Sequence, residues 1–302
     1  MPASRNRDIV ERYFNQILNE GDIGLVDDLF TDDFQFHITT LPLPVKSRDG
    51  EKGFVTGLRS GFPDLHFSID HIIEEGDKVY ARWSLTGTHQ GEFLGIPASG
   101  NRVADQGGDI FHFSGGKCKE IWVNEDSLGL MRHLGVLPQP EGQPESEPEQ
   151  RPNIPAPTRA MTPEENKAIV RRYFAEIMNA ADEQSIEELI SPDFLFTIPT
   201  HGPALGPAGE KAEVEMLHTA FPDVHFTIED EFADTERVAI RWTARGTHLG
   251  PFLGIPATGK RFWIEGMGSY HIVDGKMVEN TVNEDSLNLL IQIGAIQLPT
   301  GA

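Results

Sequence analysis

The residues whose type and spacing could do chemistry gather on one alternating stretch. Asp105, Asp109, Phe111 and Phe113 fall at even intervals between Arg102 and Phe113, and even intervals along a strand share one face. A carboxyl held against that apolar face loses hydration. Its pKa rises, and it becomes a usable general acid or base near neutrality. Two carboxyls in one dry pocket push their titrations apart. The competing reading for both is a solvated position at the rim. A bulge at Gly107-Gly108 would also break the parity of Asp105. Tyr13 and Tyr173 lie on apolar helix stripes. Buried hydroxyls need partners, which makes both candidate donors to a carbonyl. Trp83 and Trp242 belong to an apolar strand face, either as core or as pocket wall. No metal-ligand spacing, nucleophile elbow, phosphate loop or dinucleotide fingerprint occurs.

The elements that must hold these residues are written twice. Gly87-Thr88-His89-Gln90-Gly91-Glu92-Phe93-Leu94-Gly95-Ile96-Pro97-Ala98 returns as Gly246-Thr247-His248-Leu249-Gly250-Pro251-Phe252-Leu253-Gly254-Ile255-Pro256-Ala257, a step of 159 residues. Each copy opens on an amphipathic helix, Ile9, Val10, Tyr13, Phe14, Ile17 and Leu18 in the first and Ile169, Val170, Tyr173, Phe174, Ile177 and Met178 in the second. Thr162, Pro163 and Glu165 form a helix start with a capping box. A short helix follows, then a strand at Phe34 to Ile38 (Phe194 to Ile198), a Pro/Gly-rich loop that carries His201 in the second copy, and a third helix stopped at Phe62-Pro63-Asp64 (Phe221-Pro222-Asp223). The rest alternates as half-buried antiparallel strands, the last two joined by a hairpin at Ser114-Gly115-Gly116-Lys117. The expected organisation is residues 1–137 and 162–302 as the two domains, with a Pro/Glu-rich linker at 138–161. Helices packed on a sheet in each copy give an α+β fold.

Composition excludes several classes of partner. Twenty-five basic residues stand against 47 acidic ones, with no basic cluster to neutralise phosphates. Nucleic acid and anionic membranes are therefore not expected as partners. One cysteine, Cys118, answers to Met277 in the second copy, an apolar exchange that suits packing better than a reactive thiol. With no internal disulfide, no signal-peptide core and no transmembrane span, a cytoplasmic protein is expected.

The helix stripe, Phe62-Pro63-Asp64, Arg82-Trp83, the Gly87–Ala98 segment, the Gly116-Lys117 hairpin and the terminal Asp126-Ser127-Leu128 helix, nearly all repeated in the second copy, together resemble the SnoaL-like polyketide cyclases, or ester cyclases, of the nuclear-transport-factor-2-like superfamily. The resemblance implies two cone-shaped domains, each with a curved antiparallel sheet around a long helix and an apolar pocket for a small hydrophobic molecule. It implies cofactor-free deprotonation of a carbon acid next to a carbonyl, with ring closure by aldol addition. The family's acid/base is an aspartate on the last strand, assisted by a histidine on the strand before. In register, the aspartate position falls on Val123 and Val282, and the histidine position on Asp109 and Gly268. Neither copy keeps the cyclase pair. His37 matches a histidine common in the family and is expected to partner Asp109, the alternative being a hydrogen-bonded structural residue; Thr197 replaces it in the second copy. The pocket wall is expected from Tyr13, Trp83, Phe111 and Val123 in the first copy, and from Tyr173, Trp242, Tyr270 and Val282 in the second.

Other chemistry-bearing residues read as architecture. His89 and His248 recur in both copies and are expected to pin the loop after them. Glu265 and His271, with His112, lie opposite to the pocket parity and are expected at a sheet interface. Asn124-Glu125-Asp126-Ser127-Leu128, repeated at Asn283–Leu287, reads as a strand end and helix cap rather than an acidic site. Three functions stay open: a cyclase or isomerase of a polyketide- or terpenoid-like compound using Asp109 and His37, an epoxide hydrolase or dehydratase in the same pocket, and a non-catalytic ligand-binding module. The first copy is expected to be the active one. The family's sheet-to-sheet pairing is expected inside the chain, as a pseudo-dimer that leaves further homo-oligomers open.

Overall fold

The stripe that opens each copy is α-helical only in its first half. In the first copy Arg5–Arg12 is an α-helix capped by Ser4, whose side chain accepts from the Arg7 amide, and Tyr13–Asn19 widens into π-helical turns. Pro163–Arg172 and Tyr173–Met178 repeat the pattern, with the capping box at Thr162 and Glu165 in place. The wider turns suit the doubled stripe: Tyr13, Phe14, Ile17 and Leu18 are all buried. π-Turns of this kind are frequent at functional sites.

The computed structural model describes residues 4–39, 44–139, 154, 156–199 and 201–297. Most of the linker expected at 138–161 therefore lies outside the described residues. The chain divides into two compact units, the first ending at Gln139 and the second at Gln297.

Each unit is α+β with one six-stranded sheet. In the first, β1 (Phe30–Ile38), β2 (Val45–Lys46), β3 (His66–Glu75), β4 (Lys78–Thr88), β5 (Arg102–Ser114) and β6 (Lys117–Glu125) lie in the order β2-β1-β6-β5-β4-β3. The second repeats this with β7 (Ile190–Ile198), β8 (His201–Leu205), β9 (His225–Ala233), β10 (Arg237–Thr247), β11 (Arg261–Val273) and β12 (Lys276–Glu284), in the order β8-β7-β12-β11-β10-β9. Neighbours are antiparallel except where the first strand meets the last: β1 with β6, and β7 with β12, run parallel. The β5–β6 turn has φ of 60° at Gly115 and 75° at Gly116, the two positive values of a type I′ hairpin. Asp274 (51°) and Gly275 (84°) take the same form. The strand expected from Phe34 begins earlier, at Phe30, whose ring stacks on Phe34 at 4.4 Å. The loop expected around His201 is instead the edge strand β8.

The inner face of the first sheet packs on the Arg5–Asn19 helix. Phe111 meets Tyr13 and Phe14 edge to face at 5.6 and 6.2 Å. Burial of each such ring is worth ~2–3 kcal/mol. On the opposite face, Tyr80 and Arg82 are also buried. The helix Arg48–Gly61 (Gly206–Ala220 in the second unit) follows the edge strand and brings a glutamate to the middle of each domain.

Candidate active site

The bulge that Gly107-Gly108 would have made is absent: β4 and β5 pair without a shift from Lys78↔His112 to Thr88↔Arg102. Parity therefore holds, and Asp105, Gly107, Asp109 and Phe111 share the inner face. The glycines serve the aromatic rings instead. Trp83 is the cross-strand partner of Gly107, and a Cβ at Gly107 would come within 2.2 Å of Trp83 Cζ2. The bare backbone lets the indole lie over the strand and reach the next inward residue. Trp83 Nε1 donates to Asp109 Oδ1 at 2.7 Å. Gly266 gives Trp242 the same room, with 2.0 Å to its Cζ2.

Asp109 and Asp105 both line a cavity of about 50 Å³ in the first domain, with Tyr13, Trp83, Val123 and Glu125 among the other walls. Burial pushes the Asp109 carboxyl well above its ordinary value. The Trp83 bond pulls the other way, and Glu125 and Glu51 add to the rise. Asp105 is raised likewise, first by burial and then by the charges of Glu125 and Asp126. Its Oδ1 accepts from the Gln106 amide at 2.7 Å, while Oδ2 is buried with no partner. Glu125 pairs across β6 with Gly107, so it stands between the two aspartates.

A fourth carboxyl sits behind this wall. Glu51, on the Arg48–Gly61 helix, is fully buried, and its Oε1 accepts from the Tyr13 hydroxyl at 2.9 Å. Burial raises it to about 7, against the pull of the Tyr13 bond. The second domain keeps the pair: Tyr173 donates to Glu210 Oε1 at 2.8 Å, and burial raises Glu210 to about 7. In both glutamates Oε2 is buried without a partner.

His37 does not join Asp109. Phe36 and Ile38 line the cavity, so period-2 alternation turns His37 to the other face. There it bonds Glu120 Oε1 at 3.0 Å and stacks on Trp122 at 3.8 Å. His112 holds the second oxygen of Glu120 at 3.2 Å. Phe111 is also displaced from its expected role, being packed on Tyr13 and Phe14 and not among the cavity's lining residues. His89 and His248 hold the loops that follow them, through Ser99 and Thr258, each at 3.1 Å. Asp126 and Asp285 cap their helices, accepting from the amides of Gly129 and Asn288.

The second cavity is larger, about 90 Å³, and Tyr173, Glu210, Trp242, Tyr270, Asn280 and Val282 are among its walls. Ile264 and Gly268 stand where the first domain has Asp105 and Asp109, and Glu284 repeats Glu125. Sequence reasoning missed Glu51, Glu210, Glu125 and Glu284. One signal was present for the first pair: Glu51 and Glu210 fall at the same 159-residue step, inside a Gly-Glu-Lys run that both helices keep. Among the described residues no group of three or more His, Cys, Asp or Glu side chains is arranged to hold a metal ion. No helix among them is long and apolar enough to cross a membrane.

A six-stranded sheet folded over a π-turned helix, with an acid-lined apolar cavity between them, defines a class of small α+β pocket proteins, here duplicated in one chain. A family model described as SnoaL-like polyketide cyclase matches residues 8–134 and again 168–293, and the chain belongs to that family. It is 32% identical over 129 residues to aklanonic acid methyl ester cyclase DnrD of Streptomyces peucetius, a match covering 42% of this chain and 88% of that protein. It is 31% identical over 129 residues to aklanonic acid methyl ester cyclase DauD of Streptomyces sp. (strain C5), covering 42% and 80% respectively. Among solved structures, a SnoaL-like polyketide cyclase from Jannaschia sp. CCS1 is 26% identical with a TM-score of 0.42, over 46% of this chain and 99% of that one.

Proposed function

We propose that the first domain is a cofactor-independent acid/base catalyst that enolises a small hydrophobic carbonyl compound, of polyketide or terpenoid type, and closes or isomerises it. The observation that carries this reading is the buried Asp109 carboxyl, fixed by Trp83 at 2.7 Å in a cavity whose walls, Asp105 and Glu125 aside, are mainly apolar. In its ionised form Asp109 takes the proton from the carbon next to the carbonyl. The enolate oxygen needs a donor, and the Tyr13–Glu51 pair has one to give. With Glu51 protonated, the pair carries two hydrogens and its own bond uses one. When the protonated acid donates to the Tyr13 oxygen, the hydrogen left over is the phenol's, and Tyr13, which lines the cavity, offers it to the developing oxyanion. The enolate carbon then adds to a second carbonyl of the same molecule, whose oxygen takes the proton back from Asp109 as the hydroxyl of the ring product, or Asp109 returns the proton at a new carbon. Both cyclases named above act, by name, on an acid methyl ester, which is itself a carbonyl compound.

The domain with Gly268 and Ile264 has no equivalent base, so turnover is assigned to the first. The test is Asp109→Asn in the full chain, assayed by solvent-deuterium incorporation into a panel of cyclisable β-diketone esters. Loss of exchange by about 10²-fold or more is expected; unchanged exchange sinks the reading. The location is proposed to be cytoplasmic, as a chain with a single, buried cysteine allows.

A further inference from the structure

We propose that the second domain is a separate, non-catalytic binding site for a small, uncharged ketone or ester, which it recognises through the carbonyl oxygen. The cavity of the second domain is the larger of the two, about 90 Å³ against about 50 Å³, yet it has lost both strand aspartates. What replaces them is neutral. Tyr270 stands at the position of Phe111 and Asn280 at the position of Ile121, and both line the cavity. On the strands, polarity has therefore moved from Asp105 and Asp109 to hydrogen-bonding Tyr270 and Asn280, while carboxyls stay on the walls at Glu210, Glu213 and Glu284.

The one acid placed to discriminate is Glu210. It is buried to 1% exposure and lines the cavity, and its Oε1 accepts from Tyr173 at 2.8 Å. Its Oε2 is buried with no partner in the protein. Burial favours the protonated acid. Counting hydrogens then decides the ligand: the phenol and the acid hold two, their mutual bond uses one, and one is left to donate. A group with a spare donor in an apolar cavity selects an uncharged acceptor such as a carbonyl, and rejects both hydrocarbons and anions. The other titratable groups that share this cavity are Tyr173 and Tyr270 from the helix and β11, Glu213 on the same helix as Glu210, and Glu284 at the end of β12. Glu213 adds to the rise at Glu210.

This inference does not depend on the reading of the first domain, and its test reports on the second alone. Met178 and Met216 line the second cavity, whereas no methionine lines the first. Methyl-labelled methionine in the full chain is therefore a local reporter by nuclear magnetic resonance. Titration with cyclopentanone should shift both methyl signals to saturation. Methylenecyclopentane, of the same shape but without the oxygen, should bind at least about tenfold more weakly. Cyclopentanone should bind about tenfold more weakly at pH 8 than at pH 6, in proportion to the protonated fraction of an acid near 7. Glu210→Leu should remove the preference for the ketone. Glu210→Gln, which keeps a donor at every pH, should keep the preference and abolish the pH effect, and it guards against loss of fold in the leucine variant. Equal binding of the two probes, absence of a shift at the two methyls, or a pH effect that persists in Glu210→Gln overturns the proposal. Asp109→Asn should leave this titration unchanged while abolishing exchange chemistry, so the two readings fail separately.

Discussion

Asp109 and Val123 are direct cross-strand partners on β5 and β6, and both line the first cavity. Val123 occupies the position where the resemblance would place the family's aspartate. The carboxyl of this chain thus stands one strand away, at the same level of the sheet. Cross-strand Cβ atoms are about 5 Å apart, a distance a carboxylate spans with a modest shift of substrate. Exchanging the two residues should therefore preserve part of the activity. Asp109→Val alone should lose about 10²-fold or more; the double variant Asp109→Val/Val123→Asp should recover at least tenfold of that loss. Deuterium exchange rates of the three proteins decide it, and a double variant no better than the single one counts against shared geometry.

The buried glutamates should make stability fall as pH rises. Glu51 and Glu210 are raised from 4.5 to about 7 in the folded protein, chiefly by burial, so between those values the folded state holds protons that the unfolded state has released. Their contribution is fully present below about pH 4.5 and is lost as pH passes through about 7. Each is worth on the order of 3 kcal/mol over that window. Urea unfolding of Glu51→Gln and Glu210→Gln at pH 5 and pH 8 should show a smaller pH difference than the parent chain; an equal difference refutes the assignment.

Gly107→Ala and Gly266→Ala should each destabilise their domain by about 1–3 kcal/mol, since the added methyl overlaps the indole of Trp83 or Trp242. Gly107→Ala should also lower activity, because a displaced Trp83 releases Asp109. Chemical denaturation followed by tryptophan fluorescence reports the first effect and deuterium exchange the second. The matching change at Gly266 should leave exchange untouched.

His37→Ala should keep activity within about twofold of the parent, because the ring serves Glu120 and Trp122 on the face away from the cavity. Its cost should appear in stability, at about 1 kcal/mol for the lost hydrogen bond. A large loss of turnover would return His37 to the chemistry.

These contrasts mark what the sequence could convey. The duplication, the α+β class and the inward parity of Asp109 are legible because repetition and period-2 alternation are local signals. The same alternation, applied to Phe36, His37 and Ile38, already turned His37 outward; the family's histidine outweighed it in the reading. Apart from its place in the repeat, Glu51 is hard to read for a different reason. In Arg48-Asp49-Gly50-Glu51-Lys52 it looks like one more acid on a solvated first turn, and only the packing of Tyr13 from a distant helix makes it a buried partner. Glu125 was masked by its neighbour, since Asp126 does cap the final helix, and the cap explained the whole run. Long-range packing decides both residues, and no window of sequence contains it.

The parallel pairing of β1 with β6 and of β7 with β12 bears on synthesis as well as on shape. The first strand of each domain meets its neighbour only after the last strand has been made. On the ribosome, β1 must therefore wait with one edge unpaired while some eighty residues emerge behind it. Contacts of such long sequence separation are slow to form, and an open strand edge invites pairing with another chain. Nascent chains stalled before Lys117 should engage chaperones, and closure of the hairpins at Gly115-Gly116 and then at Asp274-Gly275 should be the steps that let the first and the second half leave them.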